Sequence, residues 1–457
     1  MALNEIETKL LLDEHRWSEL RTLLSGLPAP EVADLLESLS PADRMMLFRA
    51  LPRAQGSEVF AYLEPPRQNE LIASLTNEAA RQILADLTPD DRTALLEELP
   101  AEVTQKLLEL LSPADLKEAR TLLGYPEQSV GRLMTPDYVA IQPQWTAQQA
   151  IEHIRRRGHD AETINIIYIV DERSRIVDDL RLRQILLADP QASVESIMDR
   201  NFVALRASDD REEAVRTMKE YDRVAIPVVD SDGVLIGIVT SDDVLDVAEA
   251  EATEDMQKIG GMAALDNPYL ETPILWMVRK RAGWLTVLFL GEMLTATAMG
   301  FFQHEIAKAV VLALFIPLII SSGGNSGSQA ASLIIRAMAV GEVRLRDWWR
   351  VMRREIVSGI ALGGILGTIA MARIVLWPAR QSLYGPHYVL VGMAVALSLV
   401  GVVLWGTLTG SMLPFVLRRL GFDPAVSSAP FVATLVDVTG LVIYFTVALF
   451  LLRGTLL

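Results

Sequence analysis

The sequence predicts a multi-domain protein: an all-α superhelix, an α/β tandem pair of repeated units, and an all-α polytopic membrane domain of five transmembrane helices. Three observations predict it. A 24-residue repeat runs through residues 27–120, and a second repeat of about 64 residues runs through 130–250. Five apolar runs long enough to cross lipid follow residue 270.

Charge divides the chain at the same place. Residues 1–270 carry 50 Asp and Glu against 27 Lys and Arg, a net of −23. Residues 271–457 carry 8 against 15, a net of +7, which together give −16. An acidic surface repels phosphates, so nucleic acid is not expected as a partner, whereas cations are attracted. With no cysteine there is no disulfide, thiolate site or thiol redox chemistry. The opening Met1-Ala2-Leu3-Asn4-Glu5 has no basic n-region or apolar h-region, so no secretory signal is expected.

In the first repeat, Leu39-Ser40-Pro41, Leu63-Glu64-Pro65, Leu87-Thr88-Pro89 and Leu111-Ser112-Pro113 recur every 24 residues. Leu27-Pro28, Leu51-Pro52, Leu75-Thr76 and Leu99-Pro100 interleave 12 residues out of phase. Ser40, Thr88 and Ser112 suit N-caps, and each is followed by a proline where no N–H is needed. The spacing predicts one short helix per 12 residues in a domain over 1–128. Such a stack serves as an interaction surface or as a structural module, and the repeat favours neither.

The second repeat opens with Leu133-Met134-Thr135-Pro136 and again with Ile197-Met198-Asp199. Each copy continues with a short strand (Val139–Ile141; Val203–Leu205), a helix (Ala147–Arg156; Arg211–Lys219) and an apolar strand ending in Asp (Ile166–Asp171; Ala225–Asp230). A turn and another strand follow, clearest in Asp232-Gly233-Val234-Leu235-Ile236-Gly237-Ile238-Val239-Thr240. These runs resemble a tandem pair of CBS domains, over about 129–191 and 192–241. The resemblance implies adenosine nucleotide, such as ATP, as a partner through a Ser/Thr-x-x-Asp run. The second copy keeps Thr240-Ser241-Asp242-Asp243, whereas the first has Arg181-Leu182-Arg183-Gln184. Thr240, Asp243 and Arg183 are the nucleotide candidates.

A connecting helix is expected from Asp242 to about Ile259, where Gly260-Gly261 breaks it, in a segment 242–270 whose Asp266-Asn267-Pro268-Tyr269 ends the soluble half. Leu245, Ala248, Ala252, Met256 and Ile259 form an apolar stripe, and Asp243, Asp246, Glu251 and Glu254 share the other side. A solvated face is the ordinary reading. The direct lead into the membrane and the acidic neighbours Asp209, Asp210, Glu212 and Glu213 favour a cation-binding face.

The membrane domain, 271–457, has spans expected near Gly283–Phe302, Ala309–Met338, Glu355–Trp377, Tyr388–Leu417 and Pro424–Leu452, the second and fourth too long to be straight. Arg279-Lys280-Arg281, the arginines 344–354 and Arg418-Arg419 alternate with loops of low charge. The positive-inside rule then places the N-terminal domains in the cytoplasm and the C-terminus outside, in the cell's inner (plasma) membrane. Asp437 lies mid-span, where an ionisable group is a functional candidate by default. Pro317 and the run Ser321–Gln329, with Gly323, Gly324 and Asn325, are expected to interrupt the second span as unwound pore-lining backbone. Asp423 reads equally as a pore-mouth carboxylate or a helix N-cap. Glu292 is expected to face the bundle interior, and Gly359, Gly363 and Gly367 to pack a neighbouring helix. A homodimer with its pore on the two-fold axis would bring two Asp437 carboxylates to one Mg²⁺, which is commonly held through its waters by one or two carboxylates.

This order of domains resembles the MgtE magnesium channels along nearly the whole chain. The resemblance is carried by Pro317…Gly323-Gly324-Asn325-Ser326-Gly327-Ser328-Gln329, Leu413-Pro414…Asp423-Pro424-Ala425 and Asp437-Val438-Thr439-Gly440-Leu441-Val442-Ile443-Tyr444. It implies a homodimeric channel in the lipid bilayer, with Mg²⁺ both transported and regulatory. The pore carboxylate falls on Asp437. The regulatory carboxylates fall on Asp90, Asp222, Asp243, Asp246, Glu251 and Glu254, and then on Asp210 and Glu212. Ala94 stands where a further carboxylate belongs, so that site is expected around Asp91. Ile166 and Gln184 stand where the family's nucleotide site has an aromatic residue and an Asp. A coupled secondary transporter and a membrane-anchored Mg²⁺ or nucleotide sensor are the rival readings. No Walker loop or catalytic triad pattern points to an enzyme.

Overall fold

The computed structural model describes residues 5–265, 268–270 and 272–456. Asp266 and Asn267, expected to end the soluble half with Pro268 and Tyr269, lie outside the described residues. The chain forms two compact units that meet between Ala250 and Glu251.

In the first unit, α1 (Glu5–Asp13) and α2 (Trp17–Leu24) precede a regular stack: α3 (Ala29–Ser38), α4 (Pro41–Ala50), α5 (Arg53–Ala61), α6 (Pro65–Ser74), α7 (Asn77–Asp86), α8 (Pro89–Glu98), α9 (Ala101–Leu108) and α10 (Pro113–Leu122). Every helix of the stack starts 12 residues after the last, because the start signals recur at that interval. Ser40, Thr76 and Ser112 accept the N–H of Asp43, Ala79 and Asp115. A second device recurs at intervals of 24 or 12 residues. Arg44 Nε, Gln68 Nε2, Arg92 Nη1 and Thr104 Oγ1 each donate to the carbonyl eight residues earlier, at 2.9, 3.0, 3.1 and 3.1 Å. Each bond gives a carbonyl near the end of the preceding helix a side-chain donor and ties neighbouring helices together. Leu36, Leu47, Leu84 and Leu96 lie between the helices with at most 2% exposure, each stabilising the stack by about 1.5–3 kcal/mol.

Two βαββ units follow. The first holds α11 (Val130–Leu133), β1 (Ala140–Ile141), α12 (Ala147–Arg157), β2 (Ile166–Val170), β3 (Ile176–Arg181) and α13 (Leu182–Leu187). The second holds α14 (Val194–Ile197), β4 (Leu205–Arg206), α15 (Arg211–Tyr221), β5 (Ala225–Val229) and β6 (Leu235–Thr240). In each sheet the first strand pairs parallel to the second, and the second antiparallel to the third. The strand expected at Val203–Leu205 sits further on, at Leu205–Arg206, where it pairs with Val228 and Val229. The opening segments are exchanged. Val130 and Met134 pack in the core of the second unit with Leu205 and Val228, while Val194 packs in the first with Ile141 and Ile167. Neither copy has a complete core alone, which is a physical reason for the tandem arrangement. Arg132 Nη1 pairs with Glu97 Oε2 at 3.0 Å and joins this pair to α8. Then α16 (Ser241–Ile259) runs unbroken into the second unit.

The second unit contains α17 (Ile274–Phe301), α18 (Gln303–Lys308), α19 (Val310–Ala313), α20 (Ile316–Ala339), α21 (Trp348–Leu376), α22 (Arg380–Tyr384), α23 (Tyr388–Arg419) and α24 (Ala429–Leu452). Five stretches are long and apolar enough to cross a membrane: 274–301, 310–339, 345–376, 388–419 and 429–452. The second is broken, but not where expected. Residues 321–329 are helical, and the break falls at Leu314–Phe315, just before Pro317. Tyr444 Oη donates to the Leu312 carbonyl at 2.8 Å, pairing backbone at the break. The glycines of the run serve packing. A methyl on Gly323 would overlap Val402, and one on Gly410 would overlap the Gly327 carbonyl. This contact between α20 and α23 outweighs the poor helix propensity of glycine. Likewise a Cβ on Gly363 would stand 2.7 Å from Val400 Cα and one on Gly367 2.8 Å from the Ala396 oxygen, so α21 packs directly on the α23 backbone. The fourth stretch, α23, is a single helix despite Pro414.

Candidate cation sites

The N-terminus of α8 places Asp90 and Asp91 in its first turn. Thr88 holds the N-cap position but makes no bond to the N3 N–H; its hydroxyl lies near enough to the Asp90 and Asp91 carboxylates to favour their charged forms. The first turn of α16 supplies Asp242 and Asp243, with Asp246 one turn on. Thr240 Oγ1 lies 2.5 Å from Asp242 Oδ1 and 2.8 Å from Asp243 Oδ2, so its one proton is shared between them. The loop before β2 adds Glu162, and the loop before β1 adds Asp137.

These groups form one electrostatic neighbourhood. Asp90 is 8% exposed, and its Oδ1 is buried without a hydrogen-bond partner. Burial raises the Asp90 pKa, with Asp242 adding repulsion. Asp243 is raised well above its usual value by burial and then by Asp90. Asp91, whose side chain reaches solvent at the rim, is pushed up to about 6 by its dehydrated surroundings and by Asp90. Glu162 is pushed up to about 7 by burial and by repulsion from Asp90, Asp242 and Asp91. Burial also raises Asp246 and Asp137. So many carboxylates cannot all be ionised here at low cost; a proton or a cation relieves them. The donor set is all oxygen, which suits a hard divalent ion such as Mg²⁺. Among the described residues, however, no three acidic or histidine side chains are arranged to hold a metal ion directly.

Thus the structure brings Asp90, Asp91, Asp243 and Asp246 together. Asp137, Glu162 and Asp242 escaped the motif reading. Asp242 was visible beside Asp243, but Glu162 lies in an aperiodic loop with no motif to single it out. Asp210 caps α15, accepting the Glu212 N–H at 2.9 Å, and Asp222 ends the same helix in a left-handed conformation with φ 51°. Glu251 and Glu254 lie in the second unit, where Glu254 Oε1 pairs with Lys258 at 2.6 Å. Of the nucleotide candidates, Thr240 and Asp243 are bonded to each other, and Arg183 is exposed.

In the membrane unit Asp437 sits mid-way along α24, half-buried, and a Cβ on Gly324 of α20 would stand 3.5 Å from its Oδ1. Gly323 and Gly324 are buried, and Asn325 is exposed. Helices α17 and α24 run parallel: Gly291 lies against Thr434, and Phe302 stacks on Phe445 at 4.9 Å with the same sequence offset. Glu292, on that seam but exposed rather than interior, is near enough for its charge to act on Asp437. Asp423 is both an N-cap and an ion-pair partner: Oδ1 accepts the Ala425 N–H at 2.8 Å, and Oδ2 the Lys258 ammonium at 2.7 Å.

Fold and carboxylates together define a polytopic helical membrane protein with an acidic soluble half built from a helical stack and a CBS pair. Residues 316–447 match the MgtE divalent cation transporter family, residues 27–128 the MgtE intracellular N domain, and residues 130–190 and 194–250 the CBS domain. The chain is 43% identical over 344 residues to the magnesium transporter MgtE of Thermus thermophilus, covering 75% of this chain and 74% of that protein. It is 32% identical over 337 residues to the magnesium transporter MgtE of Enterococcus faecalis, covering 74% and 72%. The cytosolic domain of the Mg²⁺ channel MgtE, solved in complex with ATP, superposes with a TM-score of 0.51 at 37% identity, over 53% of this chain and 99% of that one. The chain belongs to the MgtE family.

Proposed function

We propose that the chain is a homodimeric channel that admits Mg²⁺ across the cell's inner membrane and is closed by cytosolic Mg²⁺. The observation that carries the regulatory half is the buried, unpartnered Oδ1 of Asp90 among the carboxylates of α8, α16 and the neighbouring loops. Without Mg²⁺ these groups repel, so α8 and α16 are driven apart. With Mg²⁺ they are bridged through its retained water. An ion can favour the closed state only by binding it better, and a paired set of carboxylates present only when closed supplies that difference. Asp222, Asp210, Glu212, Glu251 and Glu254 belong to the wider acidic surface of this reading. Asp437 is the permeation carboxylate, with Gly324, Asn325 and Asp423 along the path and Gly323 packing α20 against α23. The soluble half faces the cytoplasm and the C-terminus lies outside. The nearness of Glu292 to Asp437 favours a second reading, transport of Mg²⁺ coupled to H⁺ or Na⁺. ATP is carried over only from the related cytosolic domain solved with it; here Gln184 Oε1 accepts the Arg181 N–H, and Thr240 serves Asp242 and Asp243.

The test is Mg²⁺ flux into proteoliposomes, with Mg²⁺ on the domain side varied. Flux that falls as that Mg²⁺ rises supports the reading, and flux indifferent to it removes the regulatory half. A reversal potential that tracks the Mg²⁺ gradient alone selects the channel; one that moves with pH or Na⁺ selects coupled transport. Absence of flux from folded protein would leave a membrane-anchored sensor.

A further inference from the structure

In the membrane unit the last turn of α16, the first turns of α17 and the 3₁₀ turn Pro424–Val426 enclose a cavity of about 540 Å³. Its lining is of two kinds. Lys258, Arg279 and Lys280 supply three cationic groups, and Trp276 and Trp284 supply aromatic surface. Arg279 and Lys280 both lie over the Trp276 ring, 5.5 and 5.6 Å from its centroid, which holds two charges at one wall. Gly261, with φ of +76°, turns the chain so that the end of α16 comes back against Trp284. The Ala263 N–H then bonds the Lys280 carbonyl at 3.3 Å. Gly283 lines the cavity with no heavy atom within 4 Å of where a Cβ would stand, so this wall is open.

The surroundings select the ligand. Next to the cavity the first turns of α17 expose Ile274, Leu275 and Val278, apolar side chains on a helix that crosses the membrane. Paired cations and tryptophans at the end of such a helix match the boundary between headgroups and acyl chains. A free anion would leave the aromatic wall wet, and an apolar molecule would make no use of the basic one. We propose that this cavity binds an anionic phospholipid of the leaflet at the N-terminal end of α17. Its phosphate sits among Lys258, Arg279 and Lys280, and the start of an acyl chain lies against Trp276 and Trp284. Lys258 also pairs with Asp423 and Glu254, so a bound phosphate draws on the ammonium that fastens α16 to the 3₁₀ turn before α24.

The test is native mass spectrometry of the full chain in neutral detergent. It is titrated with phosphatidylglycerol, with phosphatidylcholine of the same chains, and with inorganic phosphate. Phosphatidylglycerol is expected to bind roughly tenfold more tightly than phosphatidylcholine, and to lose roughly that factor in an Arg279→Gln, Lys280→Gln double variant. Gly283→Leu fills the cavity without touching a charge and is expected to lose the same binding. Melting in lipid-free detergent checks that each variant is folded, and if the double variant is not, Gly283→Leu alone decides. Equal affinity for the two lipids, unchanged phosphatidylglycerol binding in the folded variants, or inorganic phosphate binding as well as the lipid would each overturn the proposal. None of these outcomes bears on Mg²⁺ flux, so this inference stands or falls apart from the transport reading.

Discussion

Lys258 Nζ stands 2.7 Å from Asp423 Oδ2 and 2.6 Å from Glu254 Oε1, so one ammonium joins the end of α16 to the turn that opens α24. Partial burial works against that charge, but the hydrogen bonds the ammonium donates to Asp423 and Glu254 outweigh it and raise the lysine pKa. Asp255 lies close by and is itself raised by burial and by Asp423. Lys258→Met is expected to leave three carboxylates facing one another. The pair is partly solvated, so the loss of stability is set at about 1 kcal/mol. A melt of the purified chain reads the stability, and flux at high domain-side Mg²⁺ is expected to shut off incompletely.

Asp437→Ala is expected to abolish Mg²⁺ flux while the protein still inserts and elutes as the wild type does. Wild-type flux in that variant would remove Asp437 from the ion path. Glu292→Gln separates the two transport readings: a channel keeps a reversal potential set by Mg²⁺ alone, and a coupled carrier loses its pH or Na⁺ dependence.

Asp90→Asn removes one charge and keeps the shape of a buried group that already favours its neutral form. Without Mg²⁺ the variant is expected to melt higher than the wild type. Its gain from added Mg²⁺ should shrink, whereas a wild-type site at a hundred times its Kd contributes about 2.7 kcal/mol. A variant that melts lower without Mg²⁺, or keeps the full Mg²⁺ gain, would argue against the bridging role.

The pH dependence has a defined sign. Asp91 and Glu162 titrate at about 6 and about 7 in the folded chain, against 3.8 and 4.5 ordinarily. The folded state therefore holds protons that the unfolded chain has released, and stability falls as pH rises between about 4 and 7. Differential scanning fluorimetry from pH 4 to 8 without divalent ions is expected to show the fall, and saturating Mg²⁺ to flatten it.

Gly410→Ala is expected to cost 1 kcal/mol or more, in the range of about 1–3 kcal/mol usual for overpacking, because its methyl meets the fixed Gly327 carbonyl rather than a yielding side chain. Gly364→Ala, with open space around its Cβ, serves as the control and is expected to melt as the wild type does.

The superhelix was legible because serine caps and N1 prolines are local chemistry, and their 12-residue recurrence is independent of tertiary context. Asp437 was legible because an acid within an apolar run is costly in lipid and is rarely kept there without a use. The state of residues 321–329 was not, since glycine serves unwound backbone and close helix contact equally well. What decides between them is the paired glycines 406 and 410 on α23, remote in sequence. The exchange of opening segments between the CBS copies was hidden for a related reason: hydrophobic patterning shows that Val130 and Val194 are buried, not in which core.

The glycine contacts also limit how the membrane unit can move. With carbonyl against methylene along both flanks of α23, there is no clearance for α20, α21 and α23 to slide or rotate past one another without first separating. They behave as one slab. Helices α17 and α24 meet through larger side chains, Phe302 on Phe445 and Trp284 beside Phe431, which can change rotamer without parting the backbones. The seam between α17 and α24 is therefore the one with side chains able to give, and the Lys258–Asp423 bond lies at its end.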